Sequence, residues 1–197
     1  MFVTQTAGRV TMLTMSHPPV NAISEEWVRL FEAKLDQLAD CTVLHIRSDQ
    51  KVFCAGADLK EMRGRMDMAD GPDRMYAYVA GIQRLYARIE KLPQVTLAEI
   101  SGAAMGGGFE LALSCDLRIA ANEAKVGLPE ARLGLIPGAG GTQRLTRLCG
   151  PALASRLILL TNGVTYTNVV TEAQGDWNLR SDFYLFHTNG PARWALF

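Results

Sequence analysis

Apolar positions along this chain switch between alternation typical of strands and the wider spacing typical of amphipathic helices. Residues 8–15, GRVTMLTM, alternate and predict a strand, followed by a turn at the HPP sequence. Behind Ser24, apolar residues at helical spacing predict a helix that runs to about Ala39. The residues that carry this spacing are Trp27, Leu30, Phe31, Leu35 and Leu38.

The same reasoning extends along most of the chain. Asp58 is a suitable helix N-cap, and Tyr78, Ile82, Leu85 and Ile89 mark one side of a longer helix over 73–91. Residues 64–73 show no period and predict a mobile loop. Strands are predicted at 42–48, 92–102, 116–121 and 124–128, and helices from the glycine run to Cys115, at 142–150 and at 151–160. This alternation predicts an α/β or mixed fold with parallel pairing.

The pattern changes near Thr161. Residues 161–197 contain no lysine or methionine and show no helical period. We therefore predict a core domain over 1–160 and a separate, atypical C-terminal tail over 161–197.

Composition and charge narrow the functional classes. Twenty basic residues balance twenty acidic ones, so overall charge favours neither a nucleic-acid partner nor a membrane surface. The four cysteines are scattered, which predicts reduced, buried thiols and neither a disulfide framework nor a metal site. The first residues resemble neither a secretion signal nor a transit peptide, and no apolar run is long enough to span a bilayer. We expect a cytoplasmic protein.

Three consecutive glycines, Gly106 to Gly108, stand directly before a predicted apolar helix. Glycine loses much conformational entropy on folding, but it allows a ligand to approach the backbone closely. A helix N-terminus also presents unpaired N–H groups. The run is therefore a candidate site for an anion or a polarised carbonyl, and the loop FCAGAD at 53–58 is a candidate second donor.

Two glutamates lie near these loops in sequence. Glu110 is two residues past the last glycine, and Glu130 follows a proline at the start of a further glycine-rich stretch. Two carboxylates in a desolvated cleft could act as general acid and base. Alternatively, Glu110 only complements the helix dipole and Glu130 is a solvated loop residue, and spacing does not decide between these interpretations.

The histidines and a second glycine-rich sequence show no pattern typical of a catalytic or ligand-binding site. His17, His45 and His187 have no spacing that forms a ligand set, and structural roles are expected for them. The sequence GAGG at 138–141 lacks the remainder of a phosphate-loop motif, so it predicts a turn that enters a helix at Thr142.

Three stretches together resemble the enoyl-CoA hydratase/isomerase (crotonase) superfamily, in the family's order. They are FCAGADLKEM at 53–62, ISGAAMGGGFELALSCDLRIA at 100–120 and GLPEARLGLIPGAGGTQRL at 127–145. The resemblance covers about residues 5–160. It implies an α/β crotonase-like spiral of ββα units with two nearly perpendicular sheets, and assembly as a homotrimer or hexamer.

The resemblance also implies roles for individual residues. The thioester carbonyl of an acyl-CoA substrate would bind to the backbone N–H groups of Ala57 and Gly107, and Glu110 and Glu130 would be the acid/base pair of a hydratase. Coenzyme A is part of the substrate, and no separate cofactor or metal is implied. The CoA portion would lie along Ala55, Ala57, Asp58, Leu59 and Lys60.

Having both glutamates is typical of the hydratase branch, because isomerases generally keep only the later one. The implied reaction is syn hydration of a trans-2-enoyl-CoA to a 3-hydroxyacyl-CoA. Family members continue with C-terminal helices that cover the acyl site and form subunit contacts, whereas this chain departs from the family at about Thr161 and ends earlier. Two alternatives to an active hydratase therefore stay open, an enzyme impaired by its altered end and a relative that binds acyl-CoA or serves as a subunit without turnover. Isomerase activity and preference for a branched substrate such as methylglutaconyl-CoA also stay open.

Overall fold

Two β-sheets and the helices that pack on them make up the computed structural model, which describes residues 1–38 and 41–160 and the backbone of 164–165 and 194–196. The strands are β1 (Phe2–Ala7), β2 (Val10–Met15), β3 (Val43–Ser48), β4 (Val95–Ile100), β5 (Ala104–Met105), β6 (Leu117–Ala121), β7 (Lys125–Gly127), β8 (Val164–Thr165) and β9 (Trp194–Leu196). The helices are α1 (Glu25–Asp36), α2 (Leu59–Met66), α3 (Gly71–Ile89), α4 (Gly107–Leu113) and α5 (Gly141–Leu159), with a 3-10 helix at Pro129–Leu133.

Parallel pairing dominates the larger sheet, as the alternation of strands and helices predicted. Over the described residues its order is β1-β2-β3-β4-β6-β9, with parallel pairs from β2 to β6 and antiparallel pairs at both ends. The smaller sheet has the order β5-β7-β8, in which β5 and β7 are parallel and β7 and β8 antiparallel. The prediction of a mixed α/β fold is confirmed.

Buried apolar residues of the large sheet and of helices α1, α3, α4 and α5 form the core. Helix α1 buries Trp27 and Phe31, whose rings lie 5.0 Å apart in an edge-to-face arrangement. Such a pair adds roughly 1 kcal/mol beyond the burial of its area. The four positions predicted for one side of α3 are all buried, so the helical period identified its core face correctly.

Helix ends follow from local chemistry. Ser24 accepts a hydrogen bond from the N–H of Trp27, and the Asp58 carboxylate accepts from Lys60 and Glu61, so both predicted helix starts are confirmed. Helix α1 ends at Asp36, earlier than predicted, and Ala39 lies outside the described residues. In α5 the dihedrals of Gly150 break the helix into the two predicted pieces.

One expectation about the elements was wrong in part, and strand β1 was missed. Within 64–73 only the turn 67–70 lies outside helices, because α2 continues to Met66 and α3 begins at Gly71 with a proline in its first turn. Helix α2 buries none of its residues, so it has no apolar period to detect. Strand β1 was not predicted, since it is an edge strand whose residues after Phe2 are exposed.

The predicted C-terminal tail, 161–197, lies outside the described residues apart from the backbone of β8 and β9.

Candidate active site

Strand pairing brings together three segments that are distant in sequence. Strand β5 pairs in parallel with β7, so Met105 lies opposite Gly127 and the N–H of Gly106 donates to the Gly127 carbonyl at 2.9 Å. On its other side β5 meets the 53–57 loop through an isolated parallel bridge between Cys54 and Ala104. The start of α4 therefore lies between the 53–57 loop and the 3-10 helix that carries Glu130.

At two of the three consecutive glycines, a side chain would collide with a neighbouring atom. Gly106 has φ of +52°, and a Cβ there would lie 2.9 Å from Oε1 of Glu130. A Cβ on Gly108 would lie 2.2 Å from the carbonyl oxygen of Cys54, well inside van der Waals contact. Only glycine fits these two positions, because side-chain atoms would displace either the carboxylate or the neighbouring backbone.

Two backbone N–H groups lie at this junction, from Ala57 and Gly107. A Cβ on Gly107 would lie 3.7 Å from the Ala57 nitrogen, and a Cβ on Gly56 would lie 3.2 Å from the Gly107 nitrogen. Neither N–H donates to any other described residue, whereas the adjacent Asp58 N–H donates to the carbonyl of Ile23. Gly107 is also the first residue of α4, where the helix dipole favours negative charge.

Two tyrosines of α3 donate hydrogen bonds to backbone carbonyl groups near the two candidate N–H donors. The hydroxyl of Tyr86 donates to the Gly107 carbonyl at 2.7 Å, and that of Tyr78 donates to the Ile23 carbonyl. Tyr86 is fully buried, and burial raises the pKa of its hydroxyl well above the ordinary value, so it stays a neutral donor. The helical spacing predicts a place for Tyr78 on one side of α3, and it gives no signal for Tyr86.

Glu110 is buried in the first turn of α4, with 2% of its surface exposed. Its Oε1 accepts hydrogen bonds from the N–H groups of Ala139, at 2.8 Å, and Gly141, at 2.7 Å. Desolvation raises the pKa of Glu110 to about 7, and the charge of Glu130 adds to the rise, while the two N–H groups and Arg144 oppose it. The carboxyl group is therefore able to take up or release a proton near neutral pH.

Glu130 lies in the 3-10 helix directly after β7 and is partly buried. Its Oε2 is enclosed and has no hydrogen-bond partner among the described residues. Burial raises the pKa of this carboxyl group too. Glu130 approaches the start of α4 at Gly106, and Glu110 lies in the first turn of the same helix, so both carboxylates belong to one junction and the charge of Glu130 acts on Glu110.

The turn 138–141 has a role that sequence reasoning missed. It does enter a helix, as predicted, but its N–H groups also bind the Glu110 carboxylate. The signal was available, because a glycine-rich turn ahead of a helix presents several unpaired N–H groups to a nearby anion.

The residues predicted to lie along CoA occupy the start of α2 and the loop before it. Ala55, Leu59 and Lys60 are exposed, and Ala57 is partly buried beside the candidate donors. The Asp58 side chain is used as the helix cap, with bonds of 2.9 Å and 3.1 Å to the first-turn N–H groups. This segment forms one exposed rim of the site.

The remaining candidates lie elsewhere or serve the fold. His17 contacts the Ala22 carbonyl, His45 lies 2.8 Å from Glu99 on the next strand, and His187 is outside the described residues. All four cysteines are free thiols, and three of them are buried while Cys149 is partly buried. In the part of the chain that the structure describes, no three His, Cys, Asp or Glu residues are grouped to hold a metal ion, and no helix is both long and apolar enough to cross a membrane.

Comparison with known proteins identifies the family. The sequence profile described as Enoyl-CoA hydratase/isomerase matches residues 5–171. The chain belongs to the enoyl-CoA hydratase/isomerase family. The crystal structure of an enoyl-CoA hydratase from Bacillus anthracis shares this crotonase fold with a TM-score of 0.78 and 35% identity, over 86% of this chain and 66% of that one.

Curated relatives of this crotonase-family chain carry hydratase names. It is 43% identical over 162 residues to the Bacillus subtilis enoyl-CoA hydratase/isomerase YngF, which covers 79% of this chain and 60% of that protein. It is 45% identical over 143 residues to mouse mitochondrial methylglutaconyl-CoA hydratase, which covers 70% of this chain and 44% of that protein. The chain thus spans less than two thirds of the length of these relatives.

Proposed function

We propose that this protein is an enoyl-CoA hydratase that adds water in syn fashion across the 2,3 double bond of a trans-2-enoyl-CoA. The observation that carries the proposal is that two partly desolvated carboxylates, Glu110 and Glu130, lie at the same junction as the N–H groups of Ala57 and Gly107, which donate to no other described residue. Family membership supports an acyl-CoA thioester as the substrate class.

The backbone pair would stabilise the charge that the reaction creates. Attack of water oxygen on C3 moves electron density through the former double bond onto the thioester oxygen, which becomes an enolate. The N–H groups of Ala57 and Gly107 are the proposed donors to that oxygen. Losing one preorganised donor of this kind typically lowers the rate by roughly 10²- to 10³-fold.

The carboxylates would move the protons. We assign Glu110 to binding the water and removing one of its protons, and Glu130, in its protonated form, to protonating C2. The net change in the substrate is addition of OH to C3 and H to C2, and proton exchange with solvent then returns Glu110 to its ionised form and Glu130 to its protonated form. Holding Glu110 through Oε1 suits the assignment, because the two N–H donors fix the carboxylate before water arrives.

Glu130→Gln tests the proposal directly. The amide keeps the size of the side chain but carries no transferable proton, so hydration of crotonyl-CoA should be lost while CoA binding stays nearly intact. Glu123→Gln is the matched control, because Glu123 is an exposed glutamate in the turn before β7. Hydration at the wild-type rate in Glu130→Gln would overturn the assignment.

The acyl group is a further part of the proposal. The mouse relative is named for methylglutaconyl-CoA, so a branched, acidic enoyl group belongs in the test beside straight chains. A panel of enoyl-CoA thioesters ranked by kcat/KM would identify the preferred substrate, and CoA binding without turnover of any of them would favour a binding or subunit role. By family resemblance we also propose assembly as a homotrimer or hexamer.

A further inference from the structure

Arg144 lies outside the reacting groups, yet it contacts the turn that holds Glu110. Its Nη1 donates to the carbonyl oxygen of Ala139 at 2.8 Å, and the N–H of the same residue donates to Glu110 at 2.8 Å. One residue of the turn therefore connects the guanidinium and the carboxylate.

A second contact fixes the guanidinium itself. Nη2 of Arg144 donates to Oε2 of Glu90 at 2.9 Å, at the end of α3. The Arg144 side chain is 12% exposed and that of Glu90 is 49% exposed, so the arginine is shielded from water while its partner is half open to it. The guanidinium also lies against the turn, since a Cβ on Gly140 would be 2.2 Å from Nη1.

A hydrogen bond from a second side chain, on α3, also holds the turn. Nε2 of Gln83 donates to the Gly138 carbonyl at 2.6 Å. With the Gly138 carbonyl held by Gln83 of α3 and the Ala139 carbonyl held by Arg144 of α5, the turn presents the N–H groups of Ala139 and Gly141 to Glu110.

We propose that Arg144, anchored by Glu90, is a positioning residue for Glu110, acting through the turn 138–141. This inference rests on the proposed function for its consequence in catalysis, while its effect on Glu110 can be measured without turnover. The fixed turn holds the carboxylate in place for water, and the positive charge of Arg144 favours the ionised form of Glu110.

Charged and titratable groups around Glu110 define the pH signature. Glu130 disfavours ionisation of Glu110 when it is itself ionised, Arg144 favours ionisation, and Tyr86 lies near enough to interact electrostatically while staying neutral. Removing the Arg144 charge should raise the pKa of Glu110, and removing the Glu90 charge should lower it because the arginine is then uncompensated. Both variants break the same ion pair, but we expect them to shift the pKa of Glu110 in opposite directions.

The test compares kcat, KM and the pH dependence of crotonyl-CoA hydration in the full chain. In Arg144→Gln we expect kcat to fall by roughly tenfold or more, with KM nearly unchanged and the acidic limb of kcat/KM moved to higher pH. In Glu90→Gln the limb should move to lower pH. Arg144→Lys should keep the limb in place with a reduced kcat, because lysine retains the charge but lacks the fork that reaches both partners.

Arg147→Gln is the matched control. Arg147 is an exposed arginine on the same helix that lines the same surface cleft, beside Arg144 and Glu90, and it should behave like the wild type. If Arg144→Gln and Glu90→Gln both keep the wild-type limb, the ion pair only ties α3 to α5 and the proposal is overturned.

A direct titration separates this proposal from the proposed function. The carboxyl carbon of Glu110 can be followed by NMR in labelled protein and assigned by its loss in Glu110→Gln. A higher pKa in Arg144→Gln and a lower one in Glu90→Gln support the positioning role even in a chain that does not hydrate crotonyl-CoA. An unchanged Glu110 titration in both overturns it, whatever the activity.

Discussion

Glu110→Gln should make the protein more stable at neutral pH, even though it removes a proposed catalytic group. Burial raises the pKa of Glu110 from 4.5 to about 7, so the folded state binds this proton more tightly than the unfolded state does. The stabilisation from protonated Glu110 is complete below about pH 4.5 and is lost as pH rises toward about 7. The shift corresponds to about 3 kcal/mol of unfolding free energy.

Glutamine keeps an oxygen for the N–H groups of Ala139 and Gly141 but has no charge to desolvate. Urea unfolding at a series of pH values should therefore show the variant exceeding the wild type by up to about 3 kcal/mol above pH 7, and nearly matching it near pH 4.5. Glu123→Gln, at an exposed position, should leave the pH dependence unchanged. A wild-type stability that rises from about pH 5 to 8 relative to Glu110→Gln would refute this reasoning, because it would mean that the ionised form is favoured by folding.

Three further changes probe the backbone around the site. Gly107→Pro removes the backbone N–H at a helix position that accepts proline, whereas Gly107→Ala keeps it. The hydration rate of Gly107→Pro should therefore be roughly 10²- to 10³-fold below that of Gly107→Ala. Equal rates in the two variants would exclude the Gly107 N–H as a donor. Gly108→Ala places a Cβ 2.2 Å from a backbone oxygen, so it should lower the free energy of unfolding by about 3 kcal/mol or more. Gly64→Ala is the control, because a Cβ there has no atom within 4 Å and should not destabilise the protein. Tyr86→Phe should lower the unfolding free energy by roughly 1–2 kcal/mol, while Tyr76→Phe, 78% exposed, should leave it unchanged in the same denaturation assay.

Elements with a strong apolar period could be predicted from the sequence, and those without one could not. Helix α3 was identified by its buried face, whereas α2 has no buried residue and was partly taken for a loop. Edge strand β1 is mostly exposed, so its sequence shows no alternation of buried and exposed residues that would predict a strand.

The candidate site was predictable only in pieces. The glycine run and the two glutamates could be found from local chemistry, but their proximity depends on the pairing of β5 with β7, which is a long-range contact. The support of Glu110 by the 138–141 turn, and of that turn by Arg144, depends on how α3 and α5 pack and could not follow from spacing.

The most direct test of the proposed hydration is the mass of the product formed from crotonyl-CoA in water labelled with a heavy oxygen isotope. The account predicts that the wild-type chain yields a 3-hydroxyacyl-CoA carrying one labelled oxygen at C3, and that Glu130→Gln yields none while still binding CoA. Binding of crotonyl-CoA by the wild-type chain with no gain of labelled water, or labelled product from Glu130→Gln at the wild-type rate, would contradict it.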